Sequence, residues 1–348
     1  MSKKKIIMEE FNPSAAGISN GNYFGFPYTT EESNIIIVSV PWDATTSYKP
    51  GTALAPKAMI EASVQLDFFD FDVYEAWKIG HATHPISNDI LSLSKKTRLD
   101  AEVVINHLES GGNENDDLIA NSIKAVNHAS NELNEYVYQT TKGYLEQNKL
   151  IALVGGEHSV PFGYIKALSE IHSNFGILHI DAHADLRDSF EGFTYSHASI
   201  MHNVLNIDQV TNLTQVAIRD VSKEEVELVE SKDKIKLFSD QNIKEKLFNN
   251  ESWDSVCLQI IESLPKKVYV SFDIDGLSPD NCPNTGTPVP GGLSFDQALY
   301  LMKKLANSNR QIIGFDICEV GPSESEWDQN VGARLLYKIS NLMYKTNR

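Results

Sequence analysis

From residue 150 onward, apolar runs of a few residues alternate with helical stretches. This alternation predicts an α/β fold on a parallel sheet with both faces covered. Two further observations agree. The runs are continuously apolar, as strands buried on both faces must be. Acidic residues and histidines collect directly after several of them, where ligands bind in open α/β sheets.

The elements follow in order. Residues 1–33 mix polar, glycine and aromatic residues without a period, and read as an arm that packs on its own or a neighbouring subunit. Ile35–Val40, stopped by Pro41, reads as a buried strand. Residues 56–65 read as a helix with proline near its start. Helices are expected over 96–108 and 118–147, joined by a polar, acidic loop at 110–117. Strands are then expected at 151–154, 175–180, 214–218, 234–238, 267–272 and 311–315. Helices are expected at 161–172, 197–206, 222–231, 240–248, 294–307 and 329–344. There is no internal repeat. A prior of about 150 residues per domain suggests two units, but large α/β domains run longer as one. Residues 34–348 are therefore read as a single domain.

Lys plus Arg number 30 and Asp plus Glu 47, a net charge of −17. Nucleic acid and anionic membrane both need a basic surface, so both are excluded as partners. The balance suits a small cationic partner, and solubility alone explains it equally well. Cys257, Cys282 and Cys318 are far apart and form no CxxC pattern. A disulfide framework is not expected, and a cytoplasmic location is. Within Met1–Glu10 only Ile6, Ile7 and Met8 form an apolar run, too short for a signal-peptide core. No run approaches the roughly 18 apolar residues of a membrane span.

The chemistry lies beyond four strand ends. Val154 leads into Gly155-Gly-Glu-His-Ser159, Ile180 into Asp181-Ala-His-Ala-Asp185, Phe272 into Asp273-Ile-Asp-Gly276, and Phe315 into Asp316-Ile-Cys-Glu319. The candidate ligands are His158, Asp181, His183, Asp185, Asp273 and Asp275. Four clustered carboxylates raise one another's pKa and resist burial, so a cation must compensate. Only Arg187 stands nearby. Two divalent metals meet the need. Imidazole and carboxylate donors favour Mn, Fe, Co, Ni or Zn, and the carboxylate majority favours Mn(II). Shared carboxylates hold such ions about 3.5–4 Å apart with one hydroxide between them. In extended backbone Asp181, His183 and Asp185 share a face and aim at one centre, and Asp273 and Asp275 repeat the device. His179 belongs to the same alternation and is read as a supporting or core histidine.

Each piece alone has a plainer reading. Asp181 and Asp185 could be caps or loop charges. Gly155-Gly156 could turn around a phosphate, yet no GxxxxGK or GxGxxG follows. Ser159 is not in a GxSxG elbow, which argues against a serine hydrolase. A two-metal phosphoesterase would want basic residues that these turns lack. The joint occurrence at successive strand ends carries the metal reading.

These segments, with Ser271–Pro279, resemble the three signature motifs of the ureohydrolases, the family of arginase, agmatinase and related guanidine hydrolases. Thr285-Gly-Thr-Pro288, Gly291-Gly-Leu-Ser294 and Asp316–Glu319 extend the resemblance, which runs from about Val38 to the C-terminus. It implies a three-layer α/β/α sandwich with a central eight-stranded parallel sheet, and one catalytic domain over 34–348. It implies two Mn(II) per chain, with Ni(II) as the alternative, and a homotrimer or homohexamer. By motif match His158 and Asp185 hold one metal and His183 and Asp275 the other, with Asp181 and Asp273 bridging. The implied reaction hydrolyses a guanidino compound to urea. Asp185 passes a proton to the departing nitrogen, and Glu319 pairs with the guanidinium. His197 lies in Tyr195-Ser-His-Ala, similar to an agmatinase-type segment, and is the candidate proton shuttle; the plainer reading is a helix-face histidine behind a Ser196 cap. His202 is read as structural, and His81, His84, His107, His128 and His172 as loop or helix residues without ligand partners.

The stretch Leu186–Ser196 most resembles agmatinase-type sequences, so agmatine, giving putrescine and urea, is the expected substrate. Pro41–Gly51 resembles the agmatinase PFDxxTSxRPG segment, with Trp42 for a frequent Phe and Lys49 for Arg, which are not equivalent at bidentate sites. If Trp42, Phe190, Phe193 and Tyr195 close an aromatic mouth around a cation, free guanidine becomes the alternative substrate. A metal-free binding or regulatory protein should have lost ligands, and all six are present.

Overall fold

The computed structural model describes residues 11–348; the reading of Met1–Glu10 lies outside them. The helices are α1 (Ala55–Ser63), α2 (Asn88–Glu109), α3 (Ala120–Leu145), α4 (Phe162–Ile171), α5 (Ile200–Val204), α6 (Lys223–Ser231), α7 (Asp240–Phe248), α8 (Trp253–Glu262), α9 (Phe295–Ala306) and α10 (Trp327–Thr346). The strands are β1 (Ile35–Ser39), β2 (His81–Thr83), β3 (Leu150–Val154), β4 (Phe175–Ile180), β5 (Val210–Val216), β6 (Ile235–Phe238), β7 (Lys267–Asp273) and β8 (Gln311–Cys318). They form one sheet in the order β2-β1-β3-β8-β7-β4-β5-β6, every pair parallel. The eight-stranded parallel sheet with helices on both faces matches the expected fold.

The continuous apolar runs have their cause in the two layers. Ile35 and Ile37 of β1 face one core with α9 and α10, while Ile36 and Val38 face the other with α3 and α4. Successive strand residues point to opposite faces, and here each face meets helices. Tyr23, Phe24, Phe26 and Tyr28 of the N-terminal arm are buried in the first core.

Several boundaries differ from the sequence reading. β2 is an edge strand of three residues, too short to show a pattern, and it holds His81, read as loop or helix. α2 begins at Asn88 rather than 96, behind Ser87, whose hydroxyl accepts from the Ile90 amide at 3.2 Å. α8 was not anticipated; its buried Val256, Cys257, Ile260 and Ile261 have helical spacing, and Ser252 caps it. The stretch 197–206 is a 3-10 turn at His197–Ser199 followed by the short α5. β8 runs to Cys318, so Asp316 lies within the strand. The three cysteines are buried and free of disulfides.

The order explains why a site forms. β3, β8, β7 and β4 are four neighbours at the middle of the sheet, and they are the strands whose carboxyl ends carry the polar turns. Neighbouring strands lie about 4.8 Å apart, so these turns meet above the centre of the sheet.

Candidate active site

The turn after β3 delivers His158, buried at 1% exposure. Its Nδ1 faces Asp181 Oδ2 at 2.9 Å, Asp185 Oδ2 at 3.1 Å and Asp273 Oδ2 at 3.3 Å. Its Nε2 lies 2.9 Å from Ser271 Oγ, and that hydroxyl donates to Asp316 Oδ2 at 2.9 Å. A hydroxyl has one proton, so Ser271 accepts from His158 Nε2–H. The lone pair of a neutral His158 then points from Nδ1 into three carboxylates.

His183 forms the second centre. Its Nδ1 lies 3.1 Å from Asp275 Oδ2 and 3.4 Å from Asp181 Oδ1. Asp181 belongs to both groups. The structure thus gathers all six predicted ligand residues, but as two adjoining clusters. The expectation that Asp181, His183 and Asp185 aim at one centre fails: the chain leaves β4 at Asp181, and Asp185 has φ 54°, which turns it back toward His158. Asp273 and Asp275 divide in the same way, across the turn Ile274–Gly276. Gly276 permits the close approach of this turn, since a Cβ there would lie 2.7 Å from the Asp181 amide nitrogen.

His179 takes the supporting role. Gln215 Nε2 donates to Ala184 O at 2.7 Å and to His179 Nδ1 at 3.0 Å. Nδ1 is therefore an acceptor, and Nε2–H donates to Asp181 Oδ2 at 2.8 Å. The H-x-D-x-H-x-D alternation was the sequence signal for His179; nothing in the sequence marks Gln215, which arrives from β5.

The electrostatics are those of excess negative charge. Burial works against charge on His158, yet bonds to Asp181, Asp185 and Asp273 hold its pKa well above the ordinary value. Burial opposes charge on His183 too, and Asp275 and Asp181 still push it up to about 12. Burial and the neighbouring Asp181 raise Asp185 to about 6. Burial, Asp275 and Asp181 raise Asp273 well above the carboxylate range. Among the described residues no Lys or Arg pairs with these carboxylates. Two groups of nitrogen and oxygen donors, each with its ligand atoms within 4.8 Å of one another and sharing Asp181, fit two divalent cations.

A cleft of about 430 Å³ opens beside the clusters, and His183, Asp185, Ser47, His197, Phe190 and Asp220 are among the residues that line it. This volume suits a small ligand. Burial and the nearby His183 lower the His197 pKa to about 4. Ser196 does not cap through its side chain. Glu319, also left-handed at φ 60°, accepts from the His158 amide at Oε1, 2.9 Å away. Burial and Glu157 raise its pKa well above the ordinary range. Left-handed residues other than glycine store roughly 1–3 kcal/mol of strain each and cluster at active sites.

The aromatic mouth that would favour free guanidine is not formed. Trp42 is fully buried and donates to Glu157 Oε1 at 3.1 Å. Phe193 sits in a separate core with Val104 and Val126. Tyr195 packs on Phe162 at 5.1 Å. Only Phe190 lines the cleft, edge-on to His197 at 5.9 Å, with the Arg187 guanidinium 4.9 Å over its ring. Lys49 lies outside the cleft lining, its Nζ donating to Asn284 O at 3.4 Å. The other histidines have local partners: His202 with Leu186 O and Asp188, His84 with Tyr144, His107 with Asp116, His128 with Glu132, and His172 with Lys267.

Known proteins are similar to this chain in sequence and in fold. The N(1)-aminopropylagmatine ureohydrolase of Thermus thermophilus is 29% identical over 319 residues, covering 91% of this chain and 92% of that protein. The agmatinase of Bacillus cereus is 29% identical over 309 residues, covering 86% of this chain and 87% of that one. In fold, the agmatine ureohydrolase of Thermoplasma volcanium matches with a TM-score of 0.70 at 23% identity, over 98% of both chains. The proclavaminate amidino hydrolase of Streptomyces clavuligerus matches with a TM-score of 0.72 at 20% identity, over 96% of this chain and 100% of that one. The model of the arginase family spans residues 33–340, taking in all the strand-end turns described above, and the chain is a member of that family, a metal-dependent ureohydrolase.

Proposed function

We propose that the chain hydrolyses agmatine to putrescine and urea in a single catalytic unit over residues 34–348, with 1–33 as its N-terminal arm. The observation that carries this reading is the pair of His/Asp clusters sharing Asp181, whose His183 and Asp185 line a cleft. The relatives named agmatinase and aminopropylagmatine ureohydrolase support the substrate class. We assign two Mn(II) per chain, with Ni(II) as the alternative. His158 and Asp185 would hold one and His183 and Asp275 the other, with Asp181 and Asp273 serving both. Two such cations lower the pKa of a water and so supply a nucleophile at neutral pH.

The chain's own groups do the rest. With Oε1 engaged by the His158 amide, Glu319 turns Oε2 to the guanidinium N–H groups and orients the plane. Water oxygen adds to the guanidinium carbon and gives a proton to Asp185. Asp185 passes that proton to the substituted nitrogen, whose bond to carbon breaks so that it leaves as an amine, and urea keeps the water oxygen. His197, its pKa lowered to about 4, is neutral at pH 7 and relays protons between cleft and solvent. Working forms are a homotrimer or homohexamer in the cytoplasm. Among the described residues no helix is long and apolar enough to cross a membrane.

N(1)-aminopropylagmatine is the second reading, favoured by the relatives that carry that name. Free guanidine has less support, because Trp42 and Phe193, two of the four rings that would enclose it, are core residues. The test is urea release by purified protein loaded separately with Mn(II) or Ni(II). The panel is agmatine, N(1)-aminopropylagmatine, arginine, 4-guanidinobutyrate and guanidine, plus formimidoylglutamate followed by formamide. Agmatine with Mn(II) should give the highest kcat/KM. Silence on agmatine from protein holding two metals would overturn the assignment.

A further inference from the structure

The segment following β1 is bonded along its length to the turn that carries His158. The Gly156 amide donates to Val40 O at 3.0 Å and the Glu157 amide to Trp42 O at 2.8 Å. Gly156 is needed for this approach, because a Cβ would lie 1.9 Å from Trp42 O. The Glu157 side chain, fully buried, then gathers donors from the same segment. Oε2 accepts from the Thr45 amide at 2.7 Å, while Oε1 accepts from Thr45 Oγ1 at 2.7 Å, Trp42 Nε1 at 3.1 Å and Ser159 Oγ at 2.5 Å. Thr45 is thereby held at two atoms. Its one hydroxyl proton goes to Glu157, so its oxygen is free to accept, and the His197 amide donates to it at 3.3 Å. Two residues on, Ser47 Oγ lies 3.5 Å from His197 Nε2.

We propose that Thr45 is a positioning residue for His197. It transmits the fixed position of the Glu157 carboxylate to the His197 backbone, and so sets where the imidazole stands beside His183 and Asp185 in the cleft. Such a tether has a physical purpose. His197 comes twelve residues after Asp185, at the end of a stretch with no helix or ladder strand of its own, where only the Phe190–Phe193 bridge is regular. A displacement of about 1 Å at a proton-transfer group costs roughly 100-fold in rate. The inference rests on the shuttle role of His197.

The test measures urea release from agmatine, with metal content per chain, for Thr45→Val, Thr45→Ser, His197→Ala and the Thr45→Val/His197→Ala pair. Thr45→Ala, which leaves space for a water, replaces Val if that variant does not fold. Thr45→Val should keep both metals and KM while lowering kcat about tenfold, and Thr45→Ser should restore it. In the His197→Ala background Thr45→Val should add nothing, since both act through one group. A lowered kcat in His197→Ala with a fully additive Thr45→Val overturns this inference alone. An unchanged kcat in His197→Ala overturns the shuttle reading and this inference together.

Discussion

Asp181→Asn changes one atom and leaves the shape of the site intact. Oδ2 of Asp181 accepts from His179 at 2.8 Å and faces His158 at 2.9 Å, while Oδ1 accepts from the His183 amide at 2.6 Å. Whichever way the carboxamide is turned, its NH2 group therefore meets a donor. One buried bond is lost and one donor opposed, a local cost of about 1–3 kcal/mol. The charge shared by the two clusters also vanishes. Losing a group that merely orients a metal ligand weakens metal binding roughly 10–100-fold. Losing the shared carboxylate should therefore weaken it by about 100-fold or more. After dialysis against metal-free buffer, elemental analysis should find fewer than one metal per chain. Urea release should fall at least ~100-fold, equivalent to about 2.7 kcal/mol of barrier. An Asp181→Asn protein with two metals and undiminished turnover would refute the reasoning.

Three further outcomes are expected. His179→Phe keeps the ring volume but removes the donor to Asp181, so apparent metal affinity should fall roughly 10–100-fold; an unchanged metal titration would contradict the tautomer assigned through Gln215. Asp220 lines the cleft and is exposed. An exposed ion pair contributes about 0.2–1 kcal/mol, so Asp220→Asn should raise KM for a substrate with a terminal ammonium roughly 1.5- to 5-fold at constant kcat; a loss confined to kcat would exclude this role. Burial and the neighbouring Lys267 hold the His172 pKa down to about 4, against 6.5 for the free group. The unfolded chain then binds a proton that the native one refuses, so stability from His172 is full above pH 6.5 and is lost as pH falls toward 4. Denaturant unfolding of His172→Gln should lose less between pH 7 and 4.5 than wild type does, and parallel losses would contradict the sign.

The site was legible where its chemistry is local. Asp181, His183 and Asp275 follow, and Asp273 ends, strands whose continuous apolar runs announce burial on both faces, so their placement needed only the rule that ligands gather at strand ends. Seven of the strands showed such runs; His81–Thr83 did not, because three residues at an edge carry no pattern. What the sequence could not convey was direction. The left-handed turn at Asp185 divides side chains that simple alternation would unite. Whether Trp42 and Phe193 line the cleft or pack inward was open in the sequence, and the packing of α2 and α3 and the Glu157 bond turn them inward. Gln215 and Thr45 act only across strands distant in sequence, and their residue types alone signal nothing.

The place of β8 has a consequence for how the chain is made. It is the last strand in sequence, yet it lies between β3 and β7. While the ribosome is still adding residues 311–318, β3 and β7 have no shared neighbour and each keeps an open edge. Such edges invite pairing with other chains. The turns bearing His158 and Asp273 are joined across the gap only when β8 enters it. The contact between His158 and Asp273 thus forms only after the last strand has been made, whereas the His183, Asp181 and Asp275 cluster needs only β4 and β7.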